Sequence, residues 1–109
     1  MSYMPLAMLN QAYTLLDGVA GDAQESDVVA LPARCTSFSW QTIFGTDPSA
    51  VSVLILASLD GLNFVEVDDS AVTTGDIQTV VGNFTHVMAE IESITDGADV
   101  TVLLVPKDV

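Results

Sequence analysis

The sequence predicts an all-β protein: a single antiparallel β-sandwich of about eight strands, preceded by an apolar N-terminal arm. Gly, Asp, Asn and Pro clusters that favour turns recur about every dozen residues along the chain. The segments between them are short and rich in Val, Ile, Thr and Phe, and several alternate apolar with polar residues. A jelly roll and an immunoglobulin-like sandwich both fit this pattern.

The chain length predicts one domain. Its 109 residues can bury an ordinary hydrophobic core without disulfides or metal. Cys35 is the single cysteine, so no intrachain disulfide is expected. It lies in an alternating stretch, which favours a buried, structural thiol.

The charge balance excludes two classes of partner. The chain has 2 Lys and Arg residues against 15 Asp and Glu residues, for a formal net charge of -13. Arg34 and Lys107 alone cannot form a basic patch that neutralises nucleic-acid phosphates or anionic lipid headgroups. We therefore expect neither a nucleic-acid partner nor a membrane partner.

Residues 1–12 form a Met-rich arm that carries no charge. Two interpretations remain open. The arm docks on another molecule, or it completes the core of its own domain, residues 13–109, by covering an apolar strand. In the first case the partner-contact residues are Tyr3, Met4, Leu6, Met8 and Leu9.

Strands are predicted between the turns, at Tyr13–Val19, Asp27–Leu31, Cys35–Ile43, Ala50–Leu59, Leu62–Val67, Ile77–Val81, Phe84–Ile94 and Val100–Val105. In the third of these, Phe38 and Trp40 alternate with serines, as in a strand with one buried face. The fourth is apolar on both faces at its centre, so we expect it to be covered on both sides.

Two Asp-Gly pairs predict β-hairpins, because both residues tolerate positive φ. Asp60-Gly61 joins the fourth predicted strand directly to the fifth. Asp96-Gly97 repeats the pattern before the last strand.

Residues that usually perform catalysis are scarce. His86 has no second His or Cys nearby, and no serine lies in a Gly-x-Ser-x-Gly motif. Asp68, Asp69 and Asp76 could supply oxygen ligands to calcium, but their spacing differs from that of an EF-hand loop. We therefore predict no enzyme activity, no catalytic residue, no metal site and no cofactor.

One part of the sequence resembles a recurrent small β-sandwich module of tailed-bacteriophage structural proteins. The Ser-x-Asp-Gly-x-Asn-aromatic hairpin from Ser58 to Phe64 carries the resemblance, with the late Gly97-Ala-Asp-Val-Thr-Val102 segment. It extends from about Tyr13 to Val105. The chain departs from the pattern at residues 54–57, which are more apolar and so imply an additional packing partner.

The resemblance implies a virion structural protein: a capsid decoration or cement protein on the outer surface of a phage head, assembled in the host cytoplasm. Its expected partners are the major capsid protein and copies of itself, as a homotrimer. The alternative is a carbohydrate-binding or tail-fibre module that stacks Trp40, Tyr13 or Phe64 on host-surface glycans. Burial of Trp40 would argue against that alternative, and its register with Phe38 favours burial.

Overall fold

The computed structural model describes residues 5–21 and 24–108 and is built of antiparallel β-sheets. Within these residues, no helix has the length and apolar character that crossing a bilayer would need. The strands are β1 Tyr13–Val19, β2 Gln24–Glu25, β3 Val29–Ala30, β4 Ser37–Thr46, β5 Ala50–Ser58, β6 Val65–Ser70, β7 Asp76–Val81, β8 His86–Thr95 and β9 Ala98–Lys107.

The strand order is that of a jelly roll. One sheet has the order β1-β9-β4-β7, and the other has β2-β8-β5-β6, with β3 also paired to β8. β2 and β3 pair with successive parts of β8, so together they take the place of a single strand beside β8. The result is two packed four-stranded sheets. An immunoglobulin-like domain keeps its first two strands in one sheet, whereas here β1 and β2 lie in different sheets.

The core lies between the two sheets, and strand alternation fills it. In β4, Phe38 and Trp40 point inward and are 0% and 2% exposed, which confirms their predicted burial. The other large side chains that are fully buried include Val53, Ile55, Val87, Ile91, Val100, Val102 and Leu104.

The chain forms a strand in every predicted segment, but the second is shorter than predicted and follows a strand that was not predicted. Within the predicted Asp27–Leu31, only β3 Val29–Ala30 is a strand, and β2 Gln24–Glu25 lies before that segment. Between them, the Ser26 amide donates to the Ala89 carbonyl, and the Ser26 hydroxyl accepts from the Ala89 amide. The Ala89 amide thus donates to a side-chain hydroxyl instead of a backbone carbonyl, and this breaks the regular ladder of hydrogen bonds between the two segments.

The two predicted hairpins have different outcomes. Asp96 and Gly97 form the two-residue connection of β8 and β9, with Asp96 at φ 61°, as predicted. The prediction that Asp60-Gly61 joins the two strands directly is wrong, because a loop of residues 59–64 separates β5 from β6. Asp60 causes the difference: its Oδ1 accepts hydrogen bonds from the backbone amides of Leu62 and Asn63, both at 2.8 Å. These bonds close a local turn in place of a ladder.

The described part of the arm packs on its own domain. The Ala7 amide donates to the Ala30 carbonyl at 3.0 Å, and the Asn10 amide donates to the Pro106 carbonyl at 2.8 Å. Ala7 is 1% exposed within the core cluster, and Leu9 packs against that cluster. The arm therefore completes the core, while Leu6 and Met8 point outward and are exposed. Tyr3 and Met4 lie outside the described residues.

The described part of the arm does not cover the outer face of β5, where a cover was expected. Leu54 faces outward there, and its paired neighbours are Glu90 on β8 and Asp69 on β6. Leu54 is nevertheless buried, at 9% exposure.

Candidate docking surface

The carboxylates proposed as calcium ligands do not converge. Asp68 and Asp69 are adjacent in β6 and so point to opposite faces. Asp68 accepts from the Trp40 indole, while Asp76 accepts from Gln78 Nε2 and Ser70 Oγ. The bond from Gln78, followed by that from Ser70, lowers the pKa of Asp76 below its ordinary value. Among the described residues, no group of three or more His, Cys, Asp or Glu side chains could hold a metal ion.

The remaining chemically reactive side chains have structural surroundings. His86 Nδ1 shares a hydrogen bond of 2.8 Å with Thr85 Oγ1, and its ring lies against Gly61. Cys35 is buried, and its Sγ donates to the Ser37 carbonyl at 3.2 Å. This agrees with the interpretation of Cys35 as a structural thiol.

The aromatic residues of the glycan alternative do not form an exposed platform. Trp40 lies in the core, and its Nε1 donates to Asp68 Oδ2 at 2.9 Å. It cannot stack on a ligand without leaving the sandwich. Tyr13 is half-buried and packs against the core cluster, and Phe64 is half-buried in the loop after β5.

The connections gather at two ends of the sandwich. The start of β4 lies beside the ends of β7 and β9, since Ser37 pairs with Val81 and Lys107. We call this the arm end: residues 5–12, 31–36, 59–64, 82–85 and 106–108. The opposite end holds residues 47–49, 71–75 and 96–99, and we call it the acidic end.

The arm end combines exposed apolar side chains with balanced charge. Leu59 and Leu62 are 72% and 83% exposed, and Leu6 and Met8 are each more than half exposed. Both permanent cations of the chain, Arg34 and Lys107, belong to this end. They balance its two described carboxylates, Asp60 and Asp108. The exposed Arg34–Asp108 pair, at 3.2 Å, contributes little to stability.

A hydrogen-bonded turn holds Leu59 and Leu62 in place. The Ser58 hydroxyl donates to Asp60 Oδ1 at 2.7 Å and accepts from the amides of Asp60 and Gly61. Asp60 in turn receives the amides of Asn63 and Leu62, and these bonds lower its pKa well below the ordinary range. The two leucines therefore extend from a turn that hydrogen bonds close at both ends.

A shallow recess lies beside this turn. Its volume is about 400 Å³, and Leu59, Val65 and Phe84 are among the residues that line it. The lining is mostly apolar, so the recess continues the apolar surface of the turn. A side chain of a partner could enter it.

The acidic end has the opposite character. Asp47, Asp96 and Asp99 are exposed there, and neither of the two cations in the sequence belongs to this end. Ser49 Oγ donates to Asp96 Oδ2 at 3.2 Å. The surface of the protein is therefore polarised along the strand direction.

Sequence reasoning named Leu6 and Met8 but missed Leu59 and Leu62. The sequence analysis assigns both leucines to strands, and the alternation of a strand does not indicate that both are exposed. The signal that could have found them is the Ser58-x-Asp60 spacing, which favours a side-chain-capped turn over a two-residue hairpin.

No family model matches the sequence, and no curated protein matches it. Solved structures share its fold. The SPBc2 prophage-derived protein YomS superposes with a TM-score of 0.69 at 13% identity, over 88% of this chain and 90% of that one. The K2 adhesin domain of Lys-gingipain gives 0.58 at 12% identity, over 87% and 68%. The empty capsid of Triatoma virus gives 0.53 at 9% identity, over 91% and 88%. At these identities the likeness establishes a shared β-sandwich fold.

Proposed function

We propose that this protein is a decoration or cement protein of a phage capsid, which docks on the outer surface of the shell through its arm end. The polarised surface is the observation that carries the proposal. An end with four exposed large apolar residues and balanced charge is joined to an end that carries carboxylates without cations.

The physical argument concerns desolvation. Burying Leu59, Leu62, Leu6 and Met8 against a partner removes apolar surface from water, which favours association. The charged groups of the arm end need no oppositely charged partner, because they balance one another. Docking through the acidic end would instead require cations on the shell to offset buried carboxylates.

The same orientation gives the acidity a role. With the arm end on the shell, the carboxylates of the acidic end face the surrounding solution. They repel other acidic particles and so keep the decorated shells dispersed. The expected partner is the major capsid protein, and assembly takes place in the host cytoplasm.

The alternative of a glycan-binding module loses its best residue, because Trp40 is buried. As a component of the tail or fibre apparatus, the protein would dock through the same arm end on a tail or fibre protein instead of the major capsid protein. Binding to assembled tails rather than to capsid shells would distinguish this role from that of a decoration protein.

The experiment is co-sedimentation of the purified protein with shells assembled from the major capsid protein of the same phage. We expect the wild type to sediment with the shells and the Leu59→Ser/Leu62→Ser variant to remain in solution. Val72→Ser is the matched control, since Val72 is exposed at the acidic end, and it should bind as the wild type does. Failure of the wild type to bind, or equal binding by both variants, would contradict the proposal.

A further inference from the structure

We propose that two copies of the free protein pair along β7, so that two four-stranded sheets join into one continuous sheet across a two-fold axis. The inference concerns self-association, does not rest on the virion role, and replaces the homotrimer that the resemblance implies.

Edge strands are the starting point, because their unpaired backbone groups can accept another strand. In the described chain, three of the four sheet edges carry features that block such pairing. The register of β1 with β9 is broken twice. The β6 edge carries Glu66, Asp68 and Asp69 and a register break. At the last edge, β2 and β3 span two residues each, and the arm covers β3.

The fourth edge, β7, lacks these features from Ile77 to Val81. Its six residues pair with β4 in unbroken register, and no other strand in residues 5–21 and 24–108 pairs with it. From Ile77 to Val81 it contains no charged residue, no proline and no glycine. Ile77 and Val81 are 64% and 80% exposed. In natural sheets, an edge that is regular, uncharged and apolar is one that pairs with another strand.

Charge explains why the occupant is a second copy. With a net charge of -13, two copies repel each other wherever their carboxylates meet. The outward-facing residues of the sheet beside this edge include no carboxylate between Ser37 and Ile43 on β4, between Ile77 and Val81 on β7, or between Thr101 and Lys107 on β9. Within this sheet, two copies can therefore meet along β7 without opposing like charges. The carboxylates of β6, at the edge of the other sheet on the same side, supply the repulsion that remains.

The strand is also complementary to itself. When two antiparallel copies of β7 are centred on Thr79, Ile77 of one copy faces Val81 of the other, and the same pair forms again across the axis. Each exposed apolar side chain thus gains an apolar cross-strand neighbour. Shifting the centre to Gln78 or Val80 loses both of these pairs.

The antiparallel arrangement points the two arm ends in opposite directions. A dimer of this kind can place only one of its arm ends on a given shell. A contact of one short strand is small, so we expect weak association that appears at protein concentrations approaching about 1 mM.

The experiment measures the dimer fraction of the purified full chain by sedimentation equilibrium. We expect a concentration-dependent rise from 11.5 kDa to twice that mass, with tighter association at high salt because screening reduces the remaining repulsion. The Ile77→Lys/Val81→Lys variant places lysine opposite lysine in both pairs and should weaken association roughly tenfold. The Ile77→Lys/Val81→Glu variant places lysine opposite glutamate and should restore it.

Ile43→Lys is the matched control. Ile43 lies on the same outer face but on β4, away from the edge, and is 41% exposed. The β7 dimer is supported if Ile43→Lys associates as the wild type does, Ile77→Lys/Val81→Lys associates more weakly, and Ile77→Lys/Val81→Glu regains association. A monomer at every concentration, a trimer, or loss of association in Ile43→Lys would overturn it.

Discussion

Trp40 on β4 and Asp68 on β6 join the two sheets directly, through a hydrogen bond of 2.9 Å from the indole Nε1 to Oδ2. The bond lies on the side of the sandwich where β6 and β7 are both edge strands. It satisfies the only polar hydrogen of the largest core side chain, and it takes one carboxylate of β6 away from solvent.

Substituting Asp68 should destabilise the fold through Trp40. In Asp68→Ala the buried indole N–H loses its acceptor, which should lower the free energy of unfolding by about 1–3 kcal/mol. Asp68→Asn retains an acceptor oxygen and should cost less. Urea unfolding followed by the fluorescence of Trp40 measures both. Asp69→Ala is the control, because Asp69 points to the opposite face, and an equal loss in that variant would contradict the role of the indole bond.

The turn at Asp60 should make stability depend on pH. Its folded pKa is lowered, first by the amide of Asn63 and then by that of Leu62. A carboxyl with a depressed folded pKa contributes stability above its unfolded pKa of about 4. That contribution is lost as the pH falls from there toward the folded pKa.

We therefore expect Asp60→Asn to be less stable than the wild type at pH 7, and the difference to narrow as the pH falls below about 4. Thermal unfolding at a series of pH values checks this. A stability difference that stayed constant from pH 7 to pH 3 would show that the charge of Asp60 does not support the turn.

Neighbouring residues of the arm should respond differently to the same substitution. Ala7→Asp puts a carboxylate at a site that is 1% exposed, so it should cost about 2 kcal/mol or more, up to the full stability that the arm contributes. Leu6→Asp changes an exposed residue and should alter stability by less than about 0.5 kcal/mol. Chemical unfolding of both variants tests this. Equal midpoints would mean that the arm is not part of the core.

Cys35 should be unreactive in the folded protein, because it is buried and its thiol is hydrogen-bonded to Ser37. We expect no reaction with Ellman's reagent under native conditions and release of one equivalent of chromophore in denaturant. Rapid labelling of the native protein would place the thiol at the surface and contradict the described packing.

The strands were predictable because their signals are local. β1 has the predicted bounds, and Phe38 and Trp40 are buried as their alternation indicated, since side chains of a strand repeat with a period of two. The Asp60 loop was predicted as a tight hairpin because the Asp-Gly pair is a strong turn signal. The sequence pattern does not show that the Asp60 side chain closes a wider turn.

The candidate site was predictable only in part. Leu6 and Met8 were named from the composition of the arm, but the same reasoning did not separate them from Leu9, which packs on the core. Their different exposure depends on how the arm lies across Ala30 and Pro106. Those contacts join residues far apart in the chain.

The sequence by itself determined the all-β class, the structural cysteine and the strong acidity, because composition, spacing and turn chemistry act over a few residues. Only the tertiary structure decided the jelly-roll order, the packing of the arm and the separation of an apolar end from an acidic end. Strand order depends on which distant segments pair, and the many apolar strands of this chain could pair in several ways. Packing the two sheets over one core selects among them, and that choice brings Leu6, Leu59 and Leu62 to the same end of the molecule.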